Sequence, residues 1–268
     1  MRIRMPASTP PRLRTMRDQE RPMTDLDLIV PALVGLVALL YASTGHGGAS
    51  GYLLVLSLIG FGSRAEMTTA ALILNVFVAG TAWRMFHRAG HGSWRLALSF
   101  ALTSVPMALL GGALHVPPQL YSGFLAIALY AAAVRIGVTL TGSQGSYQAP
   151  RPAVALPLGA AVGLLSGLAG VGGGIFLSPL MILRRWADPK TAAGVCAAFI
   201  TVNSLAGLIG KLLTHQLAVD GRIVPLAVAA CAGGLVGSSL GAFALSWAWV
   251  CRMTALVLAL APLKWVLR

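Results

Sequence analysis

The chain has 268 residues, of which 57% are hydrophobic and only 10% charged, with a mean hydropathy of +0.79. A water-soluble domain carries about 25% charged residues, so water is excluded as the main solvent, and the lack of strand-period alternation argues against a β-barrel. The formal net charge of +13 does not point to nucleic acid, because the Lys and Arg residues sit at segment ends and in the N-terminal tail rather than on one folded basic face.

Residues 1–27 contain Arg2, Arg4, Arg12, Arg14, Arg17 and Arg21 with several prolines and no apolar periodicity, which predicts a basic, disordered cytoplasmic tail; Met23 offers an alternative start. No convincing signal-peptide cleavage site follows the first apolar run, so the run from Leu28 is expected to stay in the membrane. Apolar segments follow at 28–43, 50–62, 67–84, 96–113, 120–140, 154–168, 173–184, 191–212, 223–243 and 249–267. Many approach the ~20 residues that cross ~30 Å of hydrocarbon. The stretches 28–62 and 154–184 are each interrupted by glycine, at Gly45-His46-Gly47-Gly48 and at Gly170-Val171-Gly172-Gly173-Gly174. Each is expected to be one unit, either a broken helix or a re-entrant hairpin. The prediction is an all-α polytopic membrane protein of about eight membrane units.

The chain also repeats itself. Val34-Gly35-Leu36 recurs as Val162-Gly163-Leu164, the glycine break recurs about 125 residues on, and the run from Ala70 to Asn75 is echoed from Ala197 to Asn203. Two membrane repeats, 28–140 and 154–268, are joined by a polar linker at 141–153, and Asn75 and Asn203 are expected to be equivalent. Basic loops stay cytoplasmic. If each broken unit crosses once, the tail, Arg84, Arg88, Arg95, Arg135, Arg151, Lys264 and Arg268 share the cytoplasmic side and both termini are inside, but Arg184, Arg185 and Lys190 then fall outside. If the units are re-entrant, each half crosses an odd number of times and the repeats are inverted.

All seven carboxylates (Asp18, Glu20, Asp25, Asp27, Glu66, Asp188 and Asp220) lie outside the apolar centres, which counts against a carboxylate-relayed pump and for an anionic or neutral substrate. Clustered glycine favours unwound backbone, which survives at membrane depth only when packed in protein or lining a polar cavity. A half-helix starting after each break would aim N–H groups and a positive dipole end at that cavity, so the backbone at Gly47, Gly48, Gly172 and Gly173 is a candidate anion site. For Gly233, Gly237 and Gly241 the small-xxx-small spacing instead predicts close helix packing. Asn75 and Asn203 are amides inside apolar helices, either interhelical glue or paired donors to substrate oxygens. His46, within the first break, is a candidate donor, against a purely structural role. Ser50 and Thr201, with Ser43, Thr44 and Ser178, are weaker hydroxyl candidates, and Lys211 and Arg135 fit snorkelling to the interface. Cys196, Cys231 and Cys251 suit neither a disulfide framework nor a metal site, and no nucleotide-binding loop or other cofactor signature is present.

Gly163-Leu-Leu-Ser-Gly-Leu-Ala-Gly-Val-Gly-Gly-Gly-Ile-Phe-Leu-Ser-Pro179, followed by the helix from Ala192 to Asn203-Ser204 and Gly207, resembles the sulfite exporter TauE/SafE family. Thr44-Gly-His-Gly-Gly-Ala-Ser-Gly51 is a degenerate first copy that departs at His46 and Ser50 from a plainer glycine run. The resemblance covers nearly all of residues 28–268. It implies a bacterial inner-membrane, multi-pass permease or exporter of about eight segments, acting on sulfite or organosulfonate-type anions; the repeats and their glycine breaks lead us to expect the site at the repeat interface. The expected partners are that small anion and the lipid bilayer, not nucleic acid; a coupling ion and a homo-oligomer stay open. A non-transporting membrane scaffold is the first alternative, and an intramembrane enzyme, which would need convergent His, Asp, Glu or Cys, is a remote one.

Overall fold

Hydroxyl and carboxylate caps mark where the apolar runs become helices. Ser63 opens α3 (Arg64–Arg88) in a reciprocal capping box with Glu66, Ser93 caps α4 (Trp94–Ala113), Asp188 caps α8 (Pro189–Leu213) through the amides of Lys190 and Thr191, and Ser246 caps α10 (Trp247–Leu260). The computed structural model describes residues 25–114, 122–138 and 146–261. The remaining helices there are α1 (Asp25–Ala42), α2 (Ala49–Leu58), α5 (Ser122–Val138), α6 (Pro152–Ala169), α7 (Gly174–Leu183) and α9 (Ile223–Ser239), the last running into a π turn at Leu240–Ala244. The predicted tail, most of it, part of the linker, and Lys264 and Arg268 lie outside the described residues.

Among the described residues five helices are long and apolar enough to cross a membrane: α3, α4, α6, α8, and α9 with its π turn; four apolar stretches of 10–17 residues accompany them, in α1, α2, α7 and α10. Apolar side chains also cover the outside, with Leu36, Leu102, Val134, Val228 and Phe243 all exposed. That is the surface expected of a chain solvated by lipid rather than water.

The 25-residue helices α3 and α8 cross at the centre and run antiparallel. Leu72 meets Gly207, Asn75 meets Ser204, and Phe86 meets Gly194. The start of α3 at Arg64 therefore shares a face with the end of α8, and Arg88 shares the opposite face with the start of α8. Two further pairs run parallel and are set by glycine. On α6, Gly159, Gly163 and Gly167 press against the carbonyl oxygens of Phe100, Ser104 and Ala108 on α4; on α9, Gly233, Gly237 and Gly241 press against those of Gly35, Leu39 and Ser43 on α1. Spacing by four puts these glycines on one helix side, and a Cβ at any of the six would overlap the facing backbone. The close packing expected at 233–241 is what these contacts describe.

Both glycine interruptions turn the chain back. Gly51 of α2 packs on Val37 and Tyr41 of α1, and the carbonyl of Phe61 just beyond α2 accepts from Arg222 at the foot of α9. The Gln148 amide donates to the Arg185 carbonyl at 3.1 Å, joining the entrance of α6 to the exit of α7. The pair α1–α2 thus enters and leaves on the Arg64 face and α6–α7 on the Arg88 face. Of the two expected forms this is the hairpin, and it brings Arg184, Arg185 and Lys190 to the same face as Arg84, Arg88 and Arg95.

Because the Gly237 contact has no room for a side chain, Gly237→Val is expected to cost about 1–3 kcal/mol through overpacking. Gly123, with nothing within 4 Å of its Cβ position, should accept Ala without loss. Thermal unfolding of the purified protein in detergent checks both; equal melting of the two variants would remove the packing argument.

Candidate functional site

Residues 41–50 and 169–179, which hold the two breaks, are all buried, so their irregular backbone faces protein and not lipid. At the first break the Thr44 hydroxyl and the His46 amide both donate to the Tyr41 carbonyl, at 3.0 and 2.9 Å, closing the end of α1. Gly48 then starts α2 from a left-handed conformation (φ 97°), and Gly173 starts α7 from the same region (φ 80°). Neither glycine has a side chain to cap its helix, so each helix begins with amides that need partners from elsewhere.

Asn75 supplies one. Its Oδ1 accepts from the Ala49 amide at 3.0 Å, capping α2 from α3, and its Nδ2 points toward the Ser204 hydroxyl of α8 at 3.4 Å. Gly47 and Gly172, one from each break, both abut Asn75 and Ile200, and Gly172 also abuts Ser204. On the α7 side no such cap exists: the amides of Gly174 and Ile175 meet no acceptor among the described residues. The two helix starts that face each other across Asn75 are therefore unlike, one satisfied and one open.

His46 ties the hairpins together. It is fully buried, with Nδ1 2.8 Å from the Thr44 hydroxyl and Nε2 3.0 Å from the Ser178 hydroxyl of α7. Since Thr44 gives its one proton to the Tyr41 carbonyl, its oxygen accepts from Nδ1–H, and Nε2 accepts from Ser178. Two more hydroxyls beside the breaks, Tyr52 against Gly48 and Ser166 against Gly173, are buried without a partner among the described residues.

The fold thus gathers His46, Gly47, Gly48, Asn75, Gly172 and Gly173. It does not bring Asn203 to them: its Oδ1 accepts from Ser104 of α4 at 2.8 Å and its Nδ2 donates to the Phe199 carbonyl one turn back. Asn203 thus bonds to α4 and to its own helix, whereas Asn75 bonds to Ala49 and Ser204, so the two amides have different partners. Ser50 turns to the Tyr41 hydroxyl (3.1 Å), and Thr201 returns its hydroxyl to the Ala197 carbonyl (2.8 Å). Ser204, Tyr52 and Ser166 were not singled out as ligands, since a hydroxyl in an apolar run has no periodic signature. Lys211 differs from expectation as well, being buried at 7% exposure instead of reaching outward.

Among the described residues the site is free of carboxylate. Glu66 and Asp188 serve as helix caps, and Asp220 pairs with Arg222, whose guanidinium holds the Asp220 carboxyl below its usual range. Among the described residues no three His, Cys, Asp or Glu side chains are grouped as metal ligands. What remains is a buried set of amide and hydroxyl groups beside one imidazole. Asn75→Ala, which strips the cap from the Ala49 amide, should lower stability by roughly 1–3 kcal/mol. Thermal unfolding in detergent measures it, and an unchanged melting temperature would show that the cap carries no weight.

The profile of the family described as "Sulfite exporter TauE/SafE" matches residues 30–264. The chain is 32% identical over 233 residues to the "Probable membrane transporter protein y4hK" of Sinorhizobium fredii (strain NBRC 101917 / NGR234), a match that covers 85% of this chain and 94% of that protein. No solved structure matches the chain. With apolar spans and a match along nearly its whole length, this chain belongs to the sulfite exporter TauE/SafE family and is a multi-pass bacterial membrane transporter rather than an enzyme.

Proposed function

We propose that the protein carries a small oxyanion, of the sulfite or organosulfonate class, through a site between two inverted halves. The observation that carries this is the open start of α7, buried at Gly172–Ile175 and facing the amide nitrogen of Asn75 and the hydroxyl of Ser204. A helix start of this kind favours negative charge by about 0.3–1 kcal/mol at an exposed surface and up to ~2 kcal/mol when partly buried. Its amides and the neighbouring side chains then replace the hydration an anion gives up.

Inverted halves account for the packing. Ala49–Leu58 and Gly174–Leu183 lie at an offset of 125 positions, as do the starts of α3 and α8 at Arg64 and Pro189. On this offset Gly45 against Ala193 on one face corresponds to Gly170 against Thr68 on the other. Asn75 corresponds to Ile200. The pairs α1–α9 and α6–α4 correspond in the same way, each half lending its first helix to the fourth helix of the other. Eight membrane units follow as six crossing helices (α3, α4, α5, α8, α9 and α10) and two hairpins.

The basic side chains at Arg84, Arg88, Arg95, Arg151, Arg184, Arg185 and Lys190 on one face support a cytoplasmic Arg88 face. On this reading the start of α1 and the end of α10 belong to the opposite face. Alternating access follows if the hairpins shift against the α3–α8 pair, opening the Asn75 region to one face and then the other.

Flux of sulfite, sulfate and sulfoacetate into proteoliposomes, under proton and sodium gradients, tests the proposal. Wild type should show substrate-selective flux, and Asn75→Ala should reduce it at least tenfold. Asn203→Ala should lower stability but keep most of the flux of the protein that remains folded. Absence of flux for every anion under both gradients would sink the assignment.

A further inference from the structure

A groove of about 340 Å³ lies between α4 and α8, lined by Trp94, Ala97, Ala101 and Pro106 of the first helix and by Phe199 and Val202 of the second. Its depth comes from side-chain size: Ala97 and Ala101 stand one turn apart on α4, and the fully buried Phe199 forms the floor. Leu98 and Leu102 on its border are 55% and 62% exposed, so the groove opens toward the hydrocarbon around the helices. At ~1.5 Å per residue, Trp94 to Pro106 spans about 18 Å, close to the ~15 Å of one hydrocarbon leaflet. An extended alkyl chain reaching from the interface to mid-membrane has that length.

The Trp94 end of the groove is basic. Trp94 meets Trp83 edge-on with ring centres 4.6 Å apart, and Trp83 stacks on His87 at 5.0 Å, so the last turns of α3 and the first turn of α4 adjoin there. That junction carries Arg84, Arg88 and Arg95, all exposed. None of the three makes a hydrogen bond or ion pair among the described residues. The one carboxylate among them at this end, Asp188, is committed to the amides of Lys190 and Thr191 as the cap of α8. Basic loops alone follow from membrane topology, and an apolar slot alone accepts any acyl chain. Where a slot of leaflet length ends beside uncompensated cations and an interfacial tryptophan, the charge of the head group decides what stays.

We propose that the α4–α8 groove binds an anionic phospholipid, with one acyl chain along Ala97 and Ala101 and the phosphate among Arg84, Arg88 and Arg95. This site is separate from the Asn75 region and does not rest on the transport reading. Phe199 nevertheless joins the two: it abuts Gly173 at the start of α7, and its carbonyl accepts from Asn203. The lipid chain therefore backs the wall of the second break.

Native mass spectrometry of the purified full chain in detergent, titrated with phosphatidylglycerol or with phosphatidylcholine of the same acyl chains, tests the site. Wild type should hold phosphatidylglycerol about tenfold more tightly than phosphatidylcholine. Ala101→Phe, which fills the slot, should weaken both about tenfold, and Arg88→Gln with Arg95→Gln should bring the two lipids within about twofold of each other. Arg252→Gln, a cation on α10 outside the groove, should change neither affinity. Equal wild-type affinity for the two lipids, wild-type retention in Ala101→Phe, or a preference that survives the double arginine change overturns the site. Loss of a dimer in Ala101→Phe with lipid retention unchanged overturns it in favour of an interface between copies of the chain. Should the variants not fold, phosphatidylglycerol with a photoreactive acyl chain should label residues 94–106 of the wild type about threefold more than the phosphatidylcholine analogue does. Equal labelling by the two lipids overturns the site.

Discussion

Backbone amides left without a partner in an apolar interior cost on the order of 1–3 kcal/mol each, and this cost governs the centre of the molecule. Two hairpins place unwound backbone there, and every residue in 41–50 and 169–179 is kept from the lipid by neighbouring helices. The Asn75 carbonyl oxygen answers the constraint at Ala49 with a 3.0 Å hydrogen bond. At the corresponding start of α7 the facing residue is Ile200, which can accept nothing, so the need for a partner persists. The same physics that closes one helix start leaves the other without a partner among the described residues.

Convergence of the hairpins depends in turn on glycine used in two different ways. In the breaks, Gly48 and Gly173 hold left-handed backbone that starts a helix in mid-protein. Along α6 and α9, the four-residue stripes let carbonyl oxygens of α4 and α1 approach without an intervening Cβ. Such dispersion-dominated contact replaces the hydrophobic drive that lipid removes between helices. His46 then links the two hairpins through its buried hydrogen bond to Ser178, while Thr44 of its own break holds the other ring nitrogen.

Much of this was legible in the residues. Apolar runs of span length gave the helices, the segment expected at 120–140 being α5 at Ser122–Val138, and the glycine breaks located the irregular backbone. Packing at Gly233, Gly237 and Gly241 followed from spacing alone. Asn75 and Asn203 sit in similar apolar runs, but nothing in those runs tells that one amide turns to Ala49 and Ser204 and the other to Ser104 and Phe199. Whether a hairpin returns to its own face depends on contacts such as Gln148 to Arg185, which join residues far apart in the chain and leave no local pattern. Lys211 looked like an interfacial lysine because its distinguishing features, burial and the nearness of Arg64, arise only when α3 and α8 run antiparallel.

The parallel pairing of α1 with α9 has a consequence for biosynthesis. The glycine face that receives α1 begins at Gly233, so a chain growing at about 5–20 residues per second must hold its first hairpin for roughly 10–40 seconds before that face exists. Over that interval the buried Thr44, His46 and Asn75 lack the α8 and α9 surfaces that later enclose them. The nascent protein therefore has a period in which its future buried centre is held by the insertion machinery or by lipid, and the last third of the chain acts as the latch that completes the first.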